Sequence, residues 1–352
     1  MGNTNLGKAK AAKNDEFYTQ YADIQNEINA YIDYNPGVFR DKTILLPCDD
    51  PEWSNFTKFF INNFERYGIK KLISTSYAYN SKKVDFDYQP TLFETVDPRF
   101  EIETSMAKGK IFSLTQDENN DGRIDEKDLK WDYLQGDGDF RSDEIKKLRD
   151  EADIIITNPP FSLFREFVAW IFEGKKSFAI IGNMNAITYK EIFPLIKENK
   201  MWLGNGFSAG NAYFGLPEKC KKEYAVGVLQ ENGLVKFRNC VWFTNIEHGK
   251  RHKKMDLMNT NENIKFSKHK EIRNIGYTRY DTYDAIEIPF TDSIPSDYLG
   301  IMGVPISFLE KYNPEQFEII GVANHGKDNK YDLFAPTCNG KQIFKRILIK
   351  HK

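Results

Sequence analysis

A short segment in the middle of the chain carries the residue types best suited to chemistry. Residues 158–161 read Asn-Pro-Pro-Phe and directly follow an apolar run at 154–156. The two prolines fix two φ angles and remove two N–H donors, which leaves carbonyl oxygens free to accept hydrogen bonds. The side-chain oxygen of Asn158 and the carbonyl oxygen of Pro159 could then accept both hydrogens of an exocyclic amino group, with Phe161 stacked on the ring. The segment therefore predicts a pocket for a planar, amino-bearing base.

Such a pocket has an obvious reaction. Two acceptors would draw the amino hydrogens out of the ring plane and raise the nucleophilicity of the nitrogen without a strong base. Placed against a methyl sulfonium supplied by a cofactor, this nitrogen would take the methyl group by in-line displacement, through positioning and preorganised electrostatics. No catalytic His or Lys is required. The alternative is a rigid turn with Phe161 in the core, and the tetrapeptide alone leaves the two interpretations about equally open.

Two further segments offer partners for a nucleoside cofactor. Within "GDGDFRSDE", Asp139 could accept a hydrogen bond from an adenine amino group, and Phe140 could stack on the purine. Near the N-terminus, Tyr18 and Thr19 offer an aromatic face and a hydroxyl suited to a methionine tail. Taken alone, the first segment could equally be an acidic surface turn, and the second is a weak signal.

The elements that must position these residues alternate between strand and helix. A strand at 43–46, a helix carrying several phenylalanines and a second strand, "KKLISTSY", form a βαβ unit. The pattern returns with a strand at 154–156, a helix at 163–172 and a strand at 178–181. Continuous apolar strands separated by helices indicate a parallel sheet covered on both faces, in which ligands bind beyond the carboxyl ends of the strands. The segments "EYAVGVLQ" and "VKFRNCVWFTNI" are expected to form a hairpin that closes the sheet's edge.

Composition excludes several classes of protein. The chain has 352 residues, of which 40% are hydrophobic and 14% aromatic, with a net charge of −2. These values are typical of a soluble globular protein, so a nucleic-acid surface would have to be a local patch. Its four cysteines form no CxxC or Cys/His cluster, so neither a zinc site nor a disulfide framework is predicted. No apolar run is long enough for a membrane helix, and we expect a cytoplasmic protein.

A change in composition after residue 247 predicts a domain boundary. Residues 1–247 would form the catalytic domain, and residues 248–352 a smaller region rich in Tyr, Pro, Lys and Arg. The segment "HGKRHKKMD" at its start offers Lys250, Arg251, Lys253 and Lys254 as phosphate contacts, although a solvated loop is an equally good interpretation.

Segments along most of the chain carry a resemblance to a known family. They are, in order, "NDEFYTQYADI", "LLPCDDPEWSNF", "GDGDFRSDE", "TNPPFSLFREFV", "IIGNMNAITYKEIFPLIKENKMWLG", "MGVPISFLEKYNPEQFEIIG" and "NGKQIFKRILIK". Together they resemble the adenine-N6 DNA methyltransferases, specifically the EcoRI-type adenine-specific methylase family. The resemblance implies an α/β fold, a Rossmann-like class I methyltransferase sheet with a smaller C-terminal DNA-recognition region. It also implies S-adenosylmethionine as the methyl donor.

The resemblance assigns roles to the candidate residues. Asn158, Pro159, Pro160 and Phe161 would be the catalytic tetrapeptide, with Asn158 also near the cofactor. The Asp139–Phe140 pair would hold the cofactor's adenine, and Tyr18 and Thr19 would contact its methionine part.

The turn after the first strand departs from the family pattern. Methyltransferases usually carry Gly-x-Gly there, whereas this chain has "PCDDPEWSNF". Cys48, Asp49 and Asp50 follow the strand and are expected to meet the cofactor. The second strand, "LISTSYA", lacks the usual terminal acid for the ribose hydroxyls, so that contact is not assigned.

The resemblance also implies partners. The substrate would be double-stranded DNA with its target adenine flipped out of the helix. The enzyme, expected to be a monomer, would act alone or beside a cognate restriction endonuclease that shares its site. Two alternatives stay open: methylation of an RNA adenine, and a nucleic-acid-binding clamp that has lost catalysis.

One segment matches a metal-binding pattern. "DENNDGRIDEKD" at 117–128 places Asp117, Asn119, Asp121 and Asp128 at ligand positions of a calcium-binding EF-hand loop. The twelfth residue is Asp rather than the usual bidentate Glu, and "GKIFSLTQ" ahead of the loop predicts a strand rather than a helix. An acidic surface loop is the favoured interpretation, and a calcium site the alternative.

Overall fold

The structure is a computed structural model, and it describes residues 18–49, 54–78, 102–207, 211–215, 228–231, 233–281, 283–323, 332–333 and 336–352. The strands are β1 (Tyr18–Thr19), β2 (Thr43–Leu46), β3 (Lys71–Ser76), β4 (Lys110–Leu114), β5 (Lys130–Tyr133), β6 (Ile154–Thr157), β7 (Ser177–Asn183), β8 (Trp202–Leu203), β9 (Ala212–Gly215), β10 (Val228–Leu229), β11 (Val235–Phe237), β12 (Cys240–Thr244), β13 (Ala285–Glu287), β14 (Ile301–Pro305), β15 (Phe317–Ala323), β16 (Asp332–Leu333), β17 (Thr337–Cys338), β18 (Lys341–Gln342) and β19 (Arg346–His351). The α-helices are α1 (Tyr21–Tyr34), α2 (Asn55–Asn62), α3 (Phe64–Tyr67), α4 (Ile102–Ala107), α5 (Asp143–Glu151), α6 (Phe164–Glu173), α7 (Phe193–Lys197) and α8 (Thr260–Phe266).

The chain divides into two compact units. The first comprises 1–183 and 204–246, and the second comprises 184–203 and 247–352. The sequence predicted a single cut after residue 247, and the structure differs because the segment 184–203 groups with the C-terminal part of the chain. No helix in the described ranges is both long and apolar enough to cross a membrane.

The first unit is built on one mixed sheet. The strands that the first unit contributes to it lie in the order β5-β4-β3-β2-β6-β7-β12. The pairs β3/β2, β2/β6 and β6/β7 are parallel, and the outer strands β4, β5 and β12 run antiparallel to their inner neighbours. All residues of β2 and β6 are buried, as expected for parallel strands covered on both faces. This architecture confirms the predicted α/β methyltransferase fold.

Helix α2 shows how the sequence covers this sheet. Phe56, Phe59 and Phe60 recur at helical spacing and are at most 2% exposed. Burial of each such side chain stabilises the fold by about 1.5–3 kcal/mol. The helix begins where the side chain of Ser54 accepts a hydrogen bond from the backbone N–H of Phe56, at 3.1 Å. The predicted strand–helix–strand unit is thereby confirmed.

A second, smaller sheet belongs to the same unit, with the strand order β1-β9-β11-β10. In it, β10 and β11 pair antiparallel, so a hairpin does form between residues 228 and 237. The sequence placed this hairpin at the edge of the main sheet, and that placement was wrong. Only β12 joins the main sheet, beside β7. Asn239, with φ of 64°, lies between β11 and β12, where the chain passes from one sheet to the other.

The second unit contains a further mixed sheet, in the order β13-β14-β19-β15-β16, and the small pair β17-β18. Strand β19 lies antiparallel between β14 and β15, and all three have a buried apolar centre. The antiparallel β15/β19 ladder contains a register shift between Ile319 and Gly321.

Candidate active site

The candidate residues of the first unit gather at one edge of its main sheet. Strands β3, β2 and β6 are parallel, so their carboxyl ends lie side by side. Tyr77, Cys48 and Asn158 follow these ends. The backbone N–H of Asp49 donates to the carbonyl of Thr75 at 2.8 Å, which ties the turn after β2 to the end of β3.

A buried carboxylate joins the ends of β2 and β6. The hydroxyl of Thr157, the last residue of β6, lies 2.7 Å from Oδ2 of Asp49 and 2.7 Å from the carbonyl oxygen of Pro47. The other carboxylate oxygen, Oδ1, accepts a hydrogen bond from the hydroxyl of Ser54 at 2.8 Å. Asp49 is only 7% exposed. Both of its oxygens therefore hold the turn in place, a role that its position in the sequence did not reveal.

The N-terminal strand is attached to the same turn. The side-chain amide of Asn55 donates to the carbonyl of Thr19 at 2.7 Å, and Asn55 follows Ser54, the N-cap of α2. Thr19 is 2% exposed, and its hydroxyl has no hydrogen-bond partner among the described residues. A buried hydroxyl without a protein partner is costly unless a ligand or water satisfies it. The residues around Thr19 therefore fit a cofactor with a polar tail.

The Asn-Pro-Pro-Phe segment lies at the end of β6, as predicted. Asn158 is partly exposed while its side-chain oxygen is buried, and Pro159 is buried. The following residues turn at once into a helix: the N–H of Leu163 donates to the carbonyl of Pro160 at 2.9 Å. This geometry keeps the tetrapeptide short and rigid at the mouth of the sheet.

Phe161 packs against the smaller sheet rather than against the main core alone. Its ring meets that of Phe237 on β11 edge to face, with centroids 6.1 Å apart, and Phe237 meets Phe214 on β9 at 5.2 Å. Phe214 is in turn paired with Thr19 across the β1/β9 ladder. Two separate sets of contacts thus bring Tyr18 and Thr19 to the side of the sheet that carries residues 158–161.

The segment 136–139 is held against the end of β3. The N–H of Ala78 donates to the carbonyl of Asp137 at 2.8 Å, and Gly138 has φ of +85°. A Cβ at Gly138 would collide with the carbonyl oxygen of Ser76, so only glycine fits this close approach. Asp139 is thereby placed at the carboxyl edge, where its carboxylate pairs with Arg141 at 2.5 Å. Hydrogen bonds from Arg141 to Asp139 raise the pKa of that guanidinium.

Phe140 occupies a different environment from the one expected of a stacking platform. Its side chain is fully buried and meets the rings of Phe167 and Trp170 on α6 edge to face, at 5.0 and 5.7 Å. These contacts make Phe140 part of the core beneath Asp139. Stacking of Phe140 on adenine stays a prediction.

Tyr77 is a site residue that the sequence interpretation missed. It follows β3, is half-buried, and hydrogen-bonds with the backbone of Phe140. Burial, together with the nearby Cys48 and Asp139, raises the pKa of its phenol. The neighbouring Thr75 is 1% exposed, and its hydroxyl lacks a hydrogen-bond partner in the described part of the chain. The signal was present in "LISTSYA", which carries Tyr77 near the position where an acid was expected.

Cys48 adopts φ of +67°, the left-handed conformation that glycine adopts most readily. Its side chain is partly exposed. The turn thus has the backbone shape that glycine usually supplies, built here on a cysteine. Asp50, the third residue predicted for this turn, lies outside the described residues.

The loop at 117–128 is closed by its own backbone. The carboxylate of Asp128 accepts hydrogen bonds from the N–H groups of Asp125, Glu118 and Asn119, and these bonds, led by that from Asp125, lower the pKa of Asp128. Asp117 similarly accepts from Gly122 at 2.8 Å. No group of three or more His, Cys, Asp or Glu within the described ranges could hold a metal ion. Calcium binding stays a prediction without a ligand cluster to carry it.

Arg251 of the basic segment cannot serve as an exposed phosphate contact in this structure. It is 7% exposed, its guanidinium lies 3.9 Å from the ring centroid of Trp202, and it donates to Asn199 at 3.1 Å. Lys253 and Lys254 are exposed, and Lys250 is partly so. The run of basic residues in the sequence concealed this difference, because Trp202 lies far away along the chain.

Comparison with known proteins identifies the family of this chain. The family model described as "Adenine-specific methyltransferase EcoRI" matches residues 5–352. The Type II methyltransferase M.EcoRI of Escherichia coli is 41% identical over 99% of this chain and 96% of its own length. The Type II methyltransferase M.MpnI of Mycoplasma pneumoniae is 32% identical over 99% and 98%. No solved structure matches. The fold, the position of the tetrapeptide and these matches agree: the chain belongs to the EcoRI family of adenine-specific methyltransferases.

Proposed function

We propose that this adenine-specific methyltransferase transfers the methyl group of S-adenosylmethionine to the N6 amino group of an adenine flipped out of duplex DNA. One observation carries the proposal. The tetrapeptide 158–161 lies at the carboxyl edge of a parallel sheet, linked through Asp49 and Asn55 to a strand whose Thr19 hydroxyl is buried without a protein partner among the described residues. The proposed base acceptors and the proposed cofactor-binding residues thus belong to one scaffold.

Asn158 and Pro159 would act on the nucleophile. Their oxygens accept the two N6 hydrogens and so direct the nitrogen lone pair out of the ring plane. The nitrogen would then take the methyl group that the cofactor supplies, with the sulfur leaving as a neutral thioether, and one N6 proton would pass to solvent. Because the tetrapeptide is fixed by two prolines and by the turn at Leu163, this orientation is held before the substrate arrives.

The cofactor-binding residues fit S-adenosylmethionine, which when bound supplies the electrophilic methyl group on a sulfonium. Thr19 would donate to or accept from the methionine part, beside Tyr18. Asp139, held at the strand end by its pairing with Arg141, would accept from the adenine amino group. Cys48 and Asp50 would also contact the cofactor, and Asp49 holds the turn that carries Cys48. We add Tyr77 to the proposed cofactor-binding residues, because it lies near both Cys48 and Asp139.

The substrate proposal follows from family membership and from the relatives' names. Both relatives are named Type II methyltransferases, and the family is described as adenine-specific. Access to N6 requires the base to leave the stack, and Phe161 would hold the flipped ring by its face. We also propose that the protein acts as a monomer, alone or beside a restriction endonuclease that recognises the same sequence.

The deciding experiment measures transfer of labelled methyl from S-adenosylmethionine to unmethylated genomic DNA and to total RNA. The modified nucleoside is identified by mass spectrometry after digestion. We expect N6-methyladenine in DNA and no more than background label in RNA. Methylation of RNA alone would assign a different substrate, and cofactor binding without transfer to either polymer would indicate a binding protein that has lost catalysis.

A further inference from the structure

The chain turns sharply after α8 and presents apolar and cationic side chains together. Phe266, the last residue of α8, is 62% exposed, and Ile275 is 72% exposed. Lys265 lies over the Phe266 ring, with Nζ 5.1 Å from its centroid. We call residues 265–275 the α8 loop. Exposed aromatic and aliphatic side chains with ordered surroundings point to a binding surface.

The α8 loop is held in one shape by its own hydrogen bonds. The N–H of Asn274 donates to the carbonyl of Ile264 at 2.8 Å, which returns the loop to the helix from which it started. Asn274 has φ of 64° and Gly276 has φ of 89°, so the return is made by left-handed residues. The exposure of Phe266 and Ile275 is therefore built into a fixed backbone.

A stacked ring pair fixes the middle of the loop. The imidazole of His269 lies parallel to the ring of Phe290, with centroids 3.7 Å apart and planes 6° apart, and its Nε2 is 2.7 Å from a carboxylate oxygen of Asp292. The other oxygen of Asp292 pairs with Lys268 at 2.7 Å. These contacts anchor the loop from below and leave its outer side chains to solvent.

The loop is strongly basic compared with the rest of the chain. Its four cations, Lys265, Lys268, Lys270 and Arg273, oppose one anion, Glu271, which gives a net charge of +3 where the whole chain has −2. Lys265, Lys270 and Arg273 are exposed, and none forms an ion pair with a described residue. Such a local excess of unpaired cations is complementary to a phosphate backbone.

We propose that the α8 loop is a DNA contact of this enzyme, and this proposal rests on the proposed function of duplex DNA methylation. Backbone phosphates are contacted by the cationic side chains of Lys265, Lys270 and Arg273. Phe266 packs as an apolar wedge in the minor groove of the DNA. Phenylalanine and isoleucine are side chains that minor-groove proteins insert at base steps. An exposed aromatic ring beside a lysine, on a loop with a net charge of +3, favours DNA as the partner.

The test uses the full-length protein and a fluorescein-labelled duplex that the parent enzyme methylates. Fluorescence anisotropy gives the dissociation constant at several salt concentrations. Phe266→Ala is compared with Phe344→Ala, which removes an equally exposed phenylalanine, also 62%, elsewhere in the same unit. We expect Phe266→Ala to weaken binding about tenfold, as for loss of one base-sized aromatic contact, and Phe344→Ala to leave it unchanged.

The charge is tested separately with the double variant Lys270→Gln, Arg273→Gln. Loss of two phosphate contacts should reduce the slope of log affinity against log salt by about 2. Parent-like affinity and slope in all variants would overturn the proposal, as would equal losses in Phe266→Ala and Phe344→Ala. Failure of the proposed function would look different, because the parent protein itself would then not methylate the duplex.

Discussion

At the scale of single residues, Asn158 is the group whose removal should separate chemistry from folding. Asn158→Ala deletes one of the two acceptors proposed for the N6 hydrogens, at a partly exposed position beyond the end of β6. We expect methyl transfer to fall at least about 100-fold, the usual cost of losing a preorganised polar contact to the reacting group. Asn62→Ala, at an exposed position at the end of α2, is the matched control. Normal turnover by the Asn158 variant, with unchanged thermal unfolding, would contradict the mechanism.

Thr157 offers a second test, because its hydroxyl serves a buried carboxylate. Thr157→Val preserves the shape of the side chain but removes the donor to Asp49, and should lower the free energy of unfolding by about 1–3 kcal/mol. Thr157→Ser keeps the hydroxyl and should recover most of the loss. Urea denaturation of the three proteins measures the difference. Equal stability of the Val and parent proteins would show that the Asp49 contact does not hold the strand ends.

At the scale of elements, helix α1 forms hydrogen bonds with the segment 205–206, which precedes strand β9 of the smaller sheet. Glu27 is fully buried, and its carboxylate accepts hydrogen bonds from the N–H groups of Asn205 and Gly206 at 3.0 and 2.9 Å and from the hydroxyl of Tyr31 at 2.5 Å. Burial, reinforced by Glu27, raises the pKa of Tyr31. Because α1 directly follows β1, these hydrogen bonds of Glu27 fix the distance between β1 and the segment leading to β9.

Glu27→Gln tests these hydrogen bonds with almost no change in side-chain volume. A glutamine amide places N–H donors toward backbone N–H donors, so we expect a loss of about 1–3 kcal/mol in unfolding free energy and weaker binding of S-adenosylmethionine. Glu65→Gln, at an exposed site on α3, makes the same chemical change without a buried partner. Calorimetric titration of cofactor and urea denaturation measure both effects. A Glu27→Gln protein with parent affinity and stability would show that α1 does not position β1.

At the scale of the whole molecule, the second unit contains a buried histidine that links its stability to pH. His248 is 1% exposed and donates from Nε2 to the carbonyl of Leu203 at 3.0 Å. Burial lowers the pKa of His248 to about 4, helped by the neighbouring Lys250 and Arg251. In the unfolded chain the pKa of this histidine is about 6.5. The unfolded chain therefore binds a proton at pH values where the folded chain does not.

The sign of the effect follows directly. Between about pH 6.5 and pH 4 the unfolded state holds more protons, so stability should rise with pH across this window, by at most about 1.4 kcal/mol per unit from this residue. The contribution is fully present above about pH 6.5 and is lost on acidification. His248→Gln retains a side-chain N–H donor but does not titrate, and should flatten the dependence. Thermal unfolding between pH 5 and pH 7.5 measures it. The same slope in both proteins would contradict the assignment.

The sequence itself determined the order of the strands along the chain and the polar, constrained character of residues 158–161. A continuous run of β-branched residues such as 154–156 favours a buried strand, and Asn-Pro-Pro favours a constrained polar turn, because both signals depend on neighbouring residues. The parallel βαβ unit and the placement of Asn158 at a strand end could therefore be predicted without coordinates. The calcium pattern was equally local, and its ligand positions do not converge on a metal cluster in the described structure.

Only the tertiary structure decided which side chains are buried and what they contact. Phe140 became core and Asp49 a buried link because their partners, Trp170 and Thr157, are distant in sequence and adjacent in space. Arg251 is withdrawn from solvent by Trp202 in the same way. Burial free energy depends on the neighbours that the fold brings together, and a linear pattern of residue types does not contain them. The residues proposed for the chemistry could thus be selected from the sequence, while the contacts that hold them in place could not.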